Sequence, residues 1–417
     1  FARRGLDFFI HRYNTNGFLT TGYTTFGTAW HLWTLGEHYQ LNRDTDWWQR
    51  VAPEVARVGQ WIVRQTEKTK RPEAADVKSN LARLARTRDH EAGINPEYGL
   101  MPPGVLADWN AFAYHNCMNA YYYAALREIG MALSDIKRTS RTRHREALSE
   151  EPAIRNSQSA IDPAAATNGA FFLRKAAELR ENIVRAYRWT QAQSPALPLR
   201  NGTWVPAYPS QVHSPGPLGD FFPGQDAGRS WCYDVELGAH QLVPAGVLDA
   251  HSREVTRLME HMEDAQFLAD GWFDYPAELN RQDWFNLGGF SKVQPYYTRN
   301  GEIYALRDDV KPFVRSYFNT LAAMLNPEVL TLWEHFHHSG AWDKTHETGY
   351  FLHQTRTMLV TERADELWLA PLITSNWLQD GLAVAVTNAP TRFGRASFRV
   401  LSHVNSGYME AIIEPPT

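Results

Sequence analysis

The stretch LTLWEHFHHSGAWDKTHETGYF, residues 330–351, concentrates side chains that can do chemistry: two tryptophans, four histidines and three acids. Histidines and carboxylates together can bind a metal ion. Carboxylates beside indole rings can move protons to and from a bound ligand. An aromatic part of the hydrophobic core that carries a few charges is the third interpretation, and the residue types alone leave all three open.

The spacing of the histidines argues against a metal site. Two histidines and a carboxylate form a known zinc-binding set. However, the stretch contains no His-Glu-x-x-His pattern, and the intervals between its histidines are irregular. They are His335, His337, His338 and His346. We therefore predict neither a metal ion nor another cofactor, and the imidazole rings suit hydrogen bonds to ligand hydroxyl groups instead.

Glu334 and Asp108 are the acids whose positions favour a catalytic role. Glu334 lies between Trp333 and His335, and helix capping does not explain it because the next predicted helix starts about ten residues later. An apolar wall such as Trp333 would raise the pKa of this carboxyl group. Asp108 follows a Pro-Pro-Gly loop and precedes a predicted helix, with Trp109 beside it, so it is either a helix N-cap or a site residue.

The other acidic candidates have stronger structural alternatives. Glu347 lies at the start of a predicted helix, where a negative charge stabilises the helix dipole. Glu236 follows another acid by two residues, so on a helix the two side chains diverge by about 200° and at most one faces a site. Glu302 is predicted to be a buried carboxylate paired with Arg299 or Arg307.

The composition favours a protein that binds flat, partly apolar ligands. Of 417 residues, 15 are Trp, 18 are Tyr and 20 are Phe, and such an excess of aromatic side chains often stacks on faces such as those of sugars. A formal net charge of −4 gives no general attraction to nucleic acid. No apolar run approaches the length of about 18 residues that a membrane helix needs, so we expect no membrane insertion.

Helical periodicity recurs along most of the chain, and the helices differ in how their apolar residues are distributed. Some segments are apolar on one face only, as in DWWQRVAPEVARVGQWIVRQTE, where Val55, Val58 and Ile62 repeat at three- and four-residue spacing. Others, such as FGTAWHLWTLGEHYQL, are rich in small and aromatic residues all round, as buried helices are. Outer and inner helices alternate, so the long loops between the hairpins should emerge on one face of a ring of inner helices.

Two regions depart from this pattern. Residues 135–168 are polar and almost free of aromatic residues, which indicates an insertion. After Glu362, apolar and polar residues alternate in runs that break at glycines, which predicts strands. We therefore predict a helical domain over residues 1–362 and a C-terminal β unit over residues 363–417.

Several motifs together resemble the six-hairpin glycosidases, the (α/α)6-barrel glycoside hydrolases. They are the GLMPPG loop that leads to DW, the TLWEHF run, which is similar to the Thr-x-Trp-Glu pattern of rhamnosidase-type members, and the C-terminal DELWLAP and NAPTRFG segments. The resemblance implies a mainly α fold, an (α/α)6 toroid of helical hairpins with a small C-terminal β-sandwich unit. It also implies an N-terminal β-sandwich domain ahead of Phe1, a secreted or periplasmic location, and an oligosaccharide or polysaccharide substrate.

The reaction implied by this resemblance is hydrolysis of a glycosidic bond by two carboxyl groups, with inversion at the anomeric carbon. One group protonates the departing oxygen and the other activates water. We assign Asp108 as the general acid and Glu334 as the general base, with Glu236 and Glu347 as the alternatives. The residues expected to bind substrate are loop side chains: Tyr23, Trp109, Trp272, Asp274, Trp333, His335 and Trp342.

Two other functions stay open at this point. A polysaccharide lyase on a related helical toroid needs a group that neutralises a uronate and a Tyr or His base, and the segment YTRNGE is compatible with both. A non-catalytic glycan-binding protein would keep the aromatic loops but would tolerate the loss of its acids. The lyase would leave an unsaturated sugar that absorbs in the near ultraviolet, whereas the hydrolase would release only new reducing ends.

Overall fold

The computed structural model describes residues 2–19, 27–70, 95–105, 112–147, 163–199, 201–213, 238–263, 299–334 and 340–416. Within them the chain is mainly α-helical, with small antiparallel sheets toward the C-terminus, as the sequence predicts. No helix in this part of the chain is long and apolar enough to cross a membrane. Internal contacts divide the chain into two compact units, Phe1–Trp189 and Thr190–Thr417. The domain boundary near residue 362 stays a prediction.

The described part of the first unit is built from one short helix and four long ones. They are α1 (Ala2–Ile10), α2 (Gly27–Asn42), α3 (Thr45–Lys68), α4 (Asn116–Ala147) and α5 (Pro163–Ala192). The predicted apolar face of α3 is confirmed, since Val55, Val58 and Ile62 are fully buried. Asp44 caps this helix by accepting a hydrogen bond of 3.0 Å from Trp47 N.

Helices α2 and α4 pack side by side and run in the same direction. Gly36 of α2 lies against Glu128 of α4, so closely that a Cβ at Gly36 would be 2.6 Å from Glu128 Cβ. Further along both helices, Tyr39 Oη donates to Asp135 at 2.9 Å. Helix α3 returns between them in the opposite direction. This is the connectivity of successive helical hairpins that the sequence predicts.

The polar segment 135–168 is helical at both of its ends. Helix α4 continues to Ala147, and α5 already begins at Pro163. The physical reason is that Arg, Lys, Ala and Glu, which are frequent there, are good helix formers although they lack the pattern of a buried face. Residues 148–162 lie outside the described part of the chain, and the insertion itself stays a prediction.

The described helices of the second unit are shorter. They are α6 (Arg253–His261), α7 (Asn300–Leu306), α8 (Val310–Met324) and α9 (Thr345–Leu359). Ser252 caps α6, because its Oγ accepts a hydrogen bond of 3.2 Å from Val255 N. Of the segment GRSWCYDVELGAHQLV only the last residues are described, and Ala239–Leu242 form one turn of 3-10 helix.

Helices α7 and α9 also run in the same direction, with α8 returning between them. Arg299, directly before α7, lies next to Tyr350 near the start of α9, and Gly301 packs against Gln354 about one turn further along. On its other side α9 contacts α8 through stacked aromatic rings. The second unit thus repeats the hairpin connectivity of the first, while closure of six hairpins into a toroid stays a prediction.

The strands form short antiparallel sheets. There are three hairpins, β1–β2 (Ala196–Pro198, Trp204–Pro206), β3–β4 (Leu325–Asn326, Thr331–Leu332) and β5–β6 (Val360–Arg363, Glu366–Leu369), and one three-stranded sheet of β7 (Ala383–Thr391), β8 (Gly394–His403) and β9 (Tyr408–Glu414) among the described residues. Val360 of β5 and Phe398 of β8 belong to one apolar cluster, so the last two sheets share a core. The strands predicted after Glu362 are confirmed, and a complete β-sandwich stays a prediction.

We expect Gly36→Ala to lower the free energy of unfolding by about 1–3 kcal/mol, because the new Cβ would collide with Glu128 of the neighbouring helix. Gly5→Ala in α1 is the matched control. No atom lies within 4 Å of a Cβ at Gly5, so this change should leave stability unchanged or raise it by up to about 1 kcal/mol. Urea unfolding followed by circular dichroism measures both, and equal stabilisation of the two variants would contradict the close packing of α2 and α4.

Candidate functional site

Some of the predicted site residues lie in the described part of the second unit, and the others lie outside the described residues. The described ones are Trp333, Glu334, Trp342 and Glu347. Those outside are Tyr23, Asp108, Trp109, Glu236, Trp272, Asp274 and His335. The described site is therefore centred on Glu334 and on the start of α9, which follows it in the chain.

Glu334 lies in a loop that main-chain hydrogen bonds close. This Glu334 loop comprises residues 331–334 and 340–344 of the described chain, and it leads from β4 to the start of α9. Glu334 N donates to Ala341 O at 2.8 Å, and Lys344 N donates to Leu332 O at 2.9 Å. The two arms of the loop therefore run against each other, which brings Lys344 next to Glu334 across 10 residues of sequence.

Both oxygens of the Glu334 carboxylate have partners. Lys344 Nζ forms an ion pair with Oε1, and Ala341 N donates to Oε2 at 3.3 Å. An ammonium group in contact with a carboxylate favours the ionised form. The neighbouring Trp333, which was expected to favour the protonated form, is only half-buried. The Glu334 carboxylate therefore lies beside an ammonium group, with both of its oxygens engaged.

Lys344 is the site residue that the sequence pattern does not reveal. Its ion pair depends on the loop folding back on itself, and nothing in the spacing of the two residues indicates that contact. The one signal in the sequence is that Lys344 is the single lysine of the aromatic run and that the run contains no arginine. Because Lys344 also occupies the N-cap position of α9, it connects Glu334 to the start of that helix.

Two indole rings belong to the Glu334 loop. Trp333 is half-buried, whereas Trp342 is 49% exposed. The main chain of Trp342 is held in place by Thr331, whose Oγ1 donates to Trp342 O at 2.7 Å. An exposed ring on a main chain that is held in place can stack on the flat apolar face of a ligand.

Glu347 is enclosed within the protein. It lies in the first turn of α9, and its side chain is fully buried. Lys344 at the N-cap makes no side-chain hydrogen bond to the helix, so a carboxylate in the first turn complements the helix dipole. A side chain with no exposed surface does not reach a ligand, and its burial therefore favours the structural interpretation of Glu347 over the catalytic one.

A second polar group lies at the starts of α7 and α9. We call it the Arg299 cluster; its members are Arg299, Glu302, Tyr350 and His353. Arg299 Nε lies 2.9 and 3.0 Å from the two oxygens of Glu302, and Nη2 lies 2.5 Å from Oε2. Both side chains are more than nine-tenths buried. The predicted buried pairing of Glu302 is confirmed, and its partner is Arg299, since Arg307 pairs with Asp309 instead.

The Arg299 cluster contains groups with perturbed acidity. Burial by itself would raise the pKa of Glu302, but the Arg299 guanidinium and His353 outweigh burial and lower this pKa to about 2. Burial raises the pKa of Tyr350 to about 12, although Arg299 opposes this effect. His353 Nε2 lies 3.6 Å from Glu302 Oε1, and the His353 side chain is 49% exposed. The cluster thus connects a buried ion pair to an imidazole at the surface.

Of the four histidines in residues 330–351, the structure describes one. His346 lies exposed at the start of α9, and the other three fall outside the described part. Among the residues that the structure describes, no group of three or more His, Cys, Asp or Glu side chains is arranged to hold a metal ion. The arrangement that the described residues do offer is a lysine-paired carboxylate with indole and imidazole side chains nearby in the chain.

No protein-family model and no curated protein sequence matches the chain. The resemblance to the six-hairpin glycosidases therefore stays an expectation that depends on short motifs. Glu334 and its surroundings are the feature from which a function can be inferred.

Glu302→Gln should lower the free energy of unfolding at neutral pH by about 3–5 kcal/mol, because it leaves Arg299 buried without its counter-charge. The folded-state pKa of Glu302, about 2, lies below its ordinary value of 4.5. The stabilisation by the ionised form is therefore fully present above about pH 4.5 and is lost as the pH falls through about 2. Urea unfolding at a series of pH values should show the difference between wild type and variant shrinking over this range.

The matched control for this experiment is Glu328→Gln, which changes an exposed glutamate in the turn between β3 and β4. We expect it to change stability by less than about 0.5 kcal/mol at every pH. A difference between wild type and Glu302→Gln that stays constant from pH 7 to pH 3 would show that the ion pair with Arg299 does not stabilise the fold.

Proposed function

We propose that the chain is a glycoside hydrolase that cleaves a glycosidic bond in an oligosaccharide or polysaccharide with inversion at the anomeric carbon. The observation that carries the proposal is the Glu334 carboxylate, which pairs with Lys344 in a loop with one half-buried and one exposed indole ring. The general base of an inverting glycosidase needs an ionised carboxylate. The indole rings suit the apolar faces of sugar rings.

In the proposed reaction Glu334 accepts a proton from water while the water oxygen bonds to the anomeric carbon. The bond from that carbon to the glycosidic oxygen breaks, and a carboxylic acid on the opposite side of the sugar donates a proton to this oxygen. Asp108, outside the described residues, is the candidate for the acid. Inverting enzymes hold their two carboxyl groups about 6.5–9.5 Å apart, which leaves room for the water.

The directions of the helices support an (α/α)6 toroid with a C-terminal β-sandwich as the proposed fold. When inner helices run parallel, the loops that lead into them emerge at one end. Arg299 leads into α7 and the Glu334 loop leads into the parallel α9, so both belong to the same end of this helix pair. In a toroid this end would be the mouth of the barrel. An N-terminal β-sandwich domain and a secreted or periplasmic location are part of the same proposal.

The Arg299 cluster does not favour the lyase alternative. A lyase needs a cation that neutralises a uronate, but Arg299 of the YTRNGE segment is buried and engaged by Glu302. It also needs a base, but the pKa of Tyr350, raised to about 12, keeps that phenol protonated near neutrality. A glycan-binding protein without activity would use the indole rings but would have no need for a carboxylate that a lysine positions in the same loop.

Glu334→Gln should reduce turnover of a hydrolysed glycan by about 100-fold or more, because an amide does not accept the proton from water. The assay measures new reducing ends after incubation with a panel of synthetic glycosides and with plant and bacterial polysaccharides. Asp108→Asn should have a similarly large effect if Asp108 is the acid. Parallel recording of ultraviolet absorbance would reveal the unsaturated product of a lyase.

Glu328→Gln is the matched control for turnover, since it makes the same chemical change at an exposed glutamate just before the Glu334 loop. It should retain the turnover of the wild type. Near-normal turnover by both Asp108→Asn and Glu334→Gln would refute the assignment of the two carboxyl groups.

Trp342→Ala should raise KM by about 3–10-fold with little change in kcat, because the exposed ring contributes binding energy of stacking but does not act on the reacting bond. The control is Trp368→Ala, which removes an exposed tryptophan of the β5–β6 hairpin with a similar exposed fraction. Steady-state kinetics on the preferred glycan compares the two variants. An equal effect of both substitutions, or none at Trp342, would remove Trp342 from the proposed site.

A further inference from the structure

Helix α9 is buried on two sides and exposed on the third. Gln354 faces α7 and Phe351 faces α8, and both contacts are close. At about 100° per residue, the remaining side of the helix collects residues that are all exposed from Thr345 to His353. They are Thr345, His346, Gly349, Leu352 and His353. We call this set the exposed face of α9.

Gly349 leaves bare main chain at the centre of the exposed face of α9. Apart from the backbone of its own helix and its chain neighbours, no atom of the described residues lies within 4 Å of the position that a Cβ would take there. The neighbouring Gly301 differs, because its missing side chain allows α7 to pack against Gln354. Glycine is unfavourable inside a helix, and one reason to keep it where no protein atom approaches is the close approach of a ligand.

Two imidazole rings lie on either side of this bare main chain along the helix. His346 precedes Gly349 by three residues and His353 follows it by four, so their Cα atoms are separated by about 10.5 Å along the helix axis. That span suits one sugar ring with a hydrogen bond of about 2.8 Å at each side. An imidazole can donate or accept a hydrogen bond, and so can a sugar hydroxyl group.

A buried carboxylate lies next to the ring of His353 on the side that faces the protein. Its Nε2 lies 3.6 Å from Glu302 Oε1, and Glu302 is itself held by two nitrogens of the buried Arg299. The His353 side chain is 49% exposed, so its ring also has surface that a ligand can contact. Partners of this kind orient a histidine and reduce the entropy that it loses on binding a ligand.

We propose that His346, Gly349 and His353 form a saccharide subsite, in which a sugar ring lies on the main chain at Gly349 and its hydroxyl groups bond to the two imidazoles. This inference rests on the proposed function and extends it, because α9 starts directly after Lys344 and its exposed face continues from the Glu334 loop. His353 binds the sugar in this scheme and takes no part in proton transfer at the reacting bond.

Gly349→Leu tests the subsite. The open space at Gly349 accommodates the new side chain, so the variant should fold with unchanged or increased stability, yet the leucine would occupy the place of the sugar ring. We expect KM to rise at least 10-fold while kcat changes by less than about threefold. His353→Phe should raise KM in the same way. The control is Gly5→Leu in α1, where a Cβ also meets no atom within 4 Å.

Calorimetric titration of the same oligosaccharides into the Glu334→Gln protein, with and without Gly349→Leu, separates binding from turnover. Loss of affinity on Gly349→Leu supports the subsite. Unchanged KM and affinity in a protein that hydrolyses glycans would overturn the subsite and leave the hydrolase intact. Binding that Gly349→Leu abolishes, without hydrolysis of any glycan by the wild type, would overturn the hydrolase and retain the subsite. Absence of both binding and hydrolysis would overturn both.

Discussion

The ion pair between Arg299 and Glu302 lies where the starts of α7 and α9 meet. Both side chains are almost fully removed from water, and such charges are tolerated only when each neutralises the other in good geometry. Arg299 adopts a left-handed main-chain conformation with φ of 58°, which is unfavourable for a residue with a Cβ, and its three contacts with Glu302 hold it there. Tyr350 and His353 of α9 lie against this pair, so it links the two parallel helices.

The proposed site depends on this arrangement because α9 begins where the Glu334 loop ends. Lys344 belongs to both: its ammonium group pairs with Glu334, and its main chain forms the N-cap of α9. A helix start that is held against α7 therefore also holds the carboxylate. The proposed saccharide subsite uses the same helix on its exposed face, so catalysis and binding would share one rigid element, as precise sites generally do.

The parallel helix pairs α2/α4 and α7/α9 pack in the same way. In each pair a small residue allows close approach, Gly36 against Glu128 in the first and Gly301 against Gln354 in the second. An outer helix returns the chain between the two members, so each pair needs only short local connections on one side. Longer segments are left for the other end, where the residues with catalytic potential lie.

Structural features that depend only on residues close together in the sequence could be predicted from it. The three- and four-residue spacing of Val55, Val58 and Ile62 predicted the buried face of α3. The pairing of Glu302 with Arg299, one of the two partners predicted for it, joins residues one helical turn apart. The alternation after Glu362 predicted the C-terminal strands for the same reason, since side-chain direction along a strand has a period of two.

Only the tertiary structure decided which partners distant residues meet. Lys344 reaches Glu334 because the loop folds back, and the full burial of Glu347 depends on how the surrounding chain encloses the start of α9. The accessible main chain at Gly349 is likewise a property of its surroundings and not of its neighbours in sequence. Periodicity reports which face of an element is apolar, whereas contacts across a loop or between helices depend on packing that no local pattern encodes.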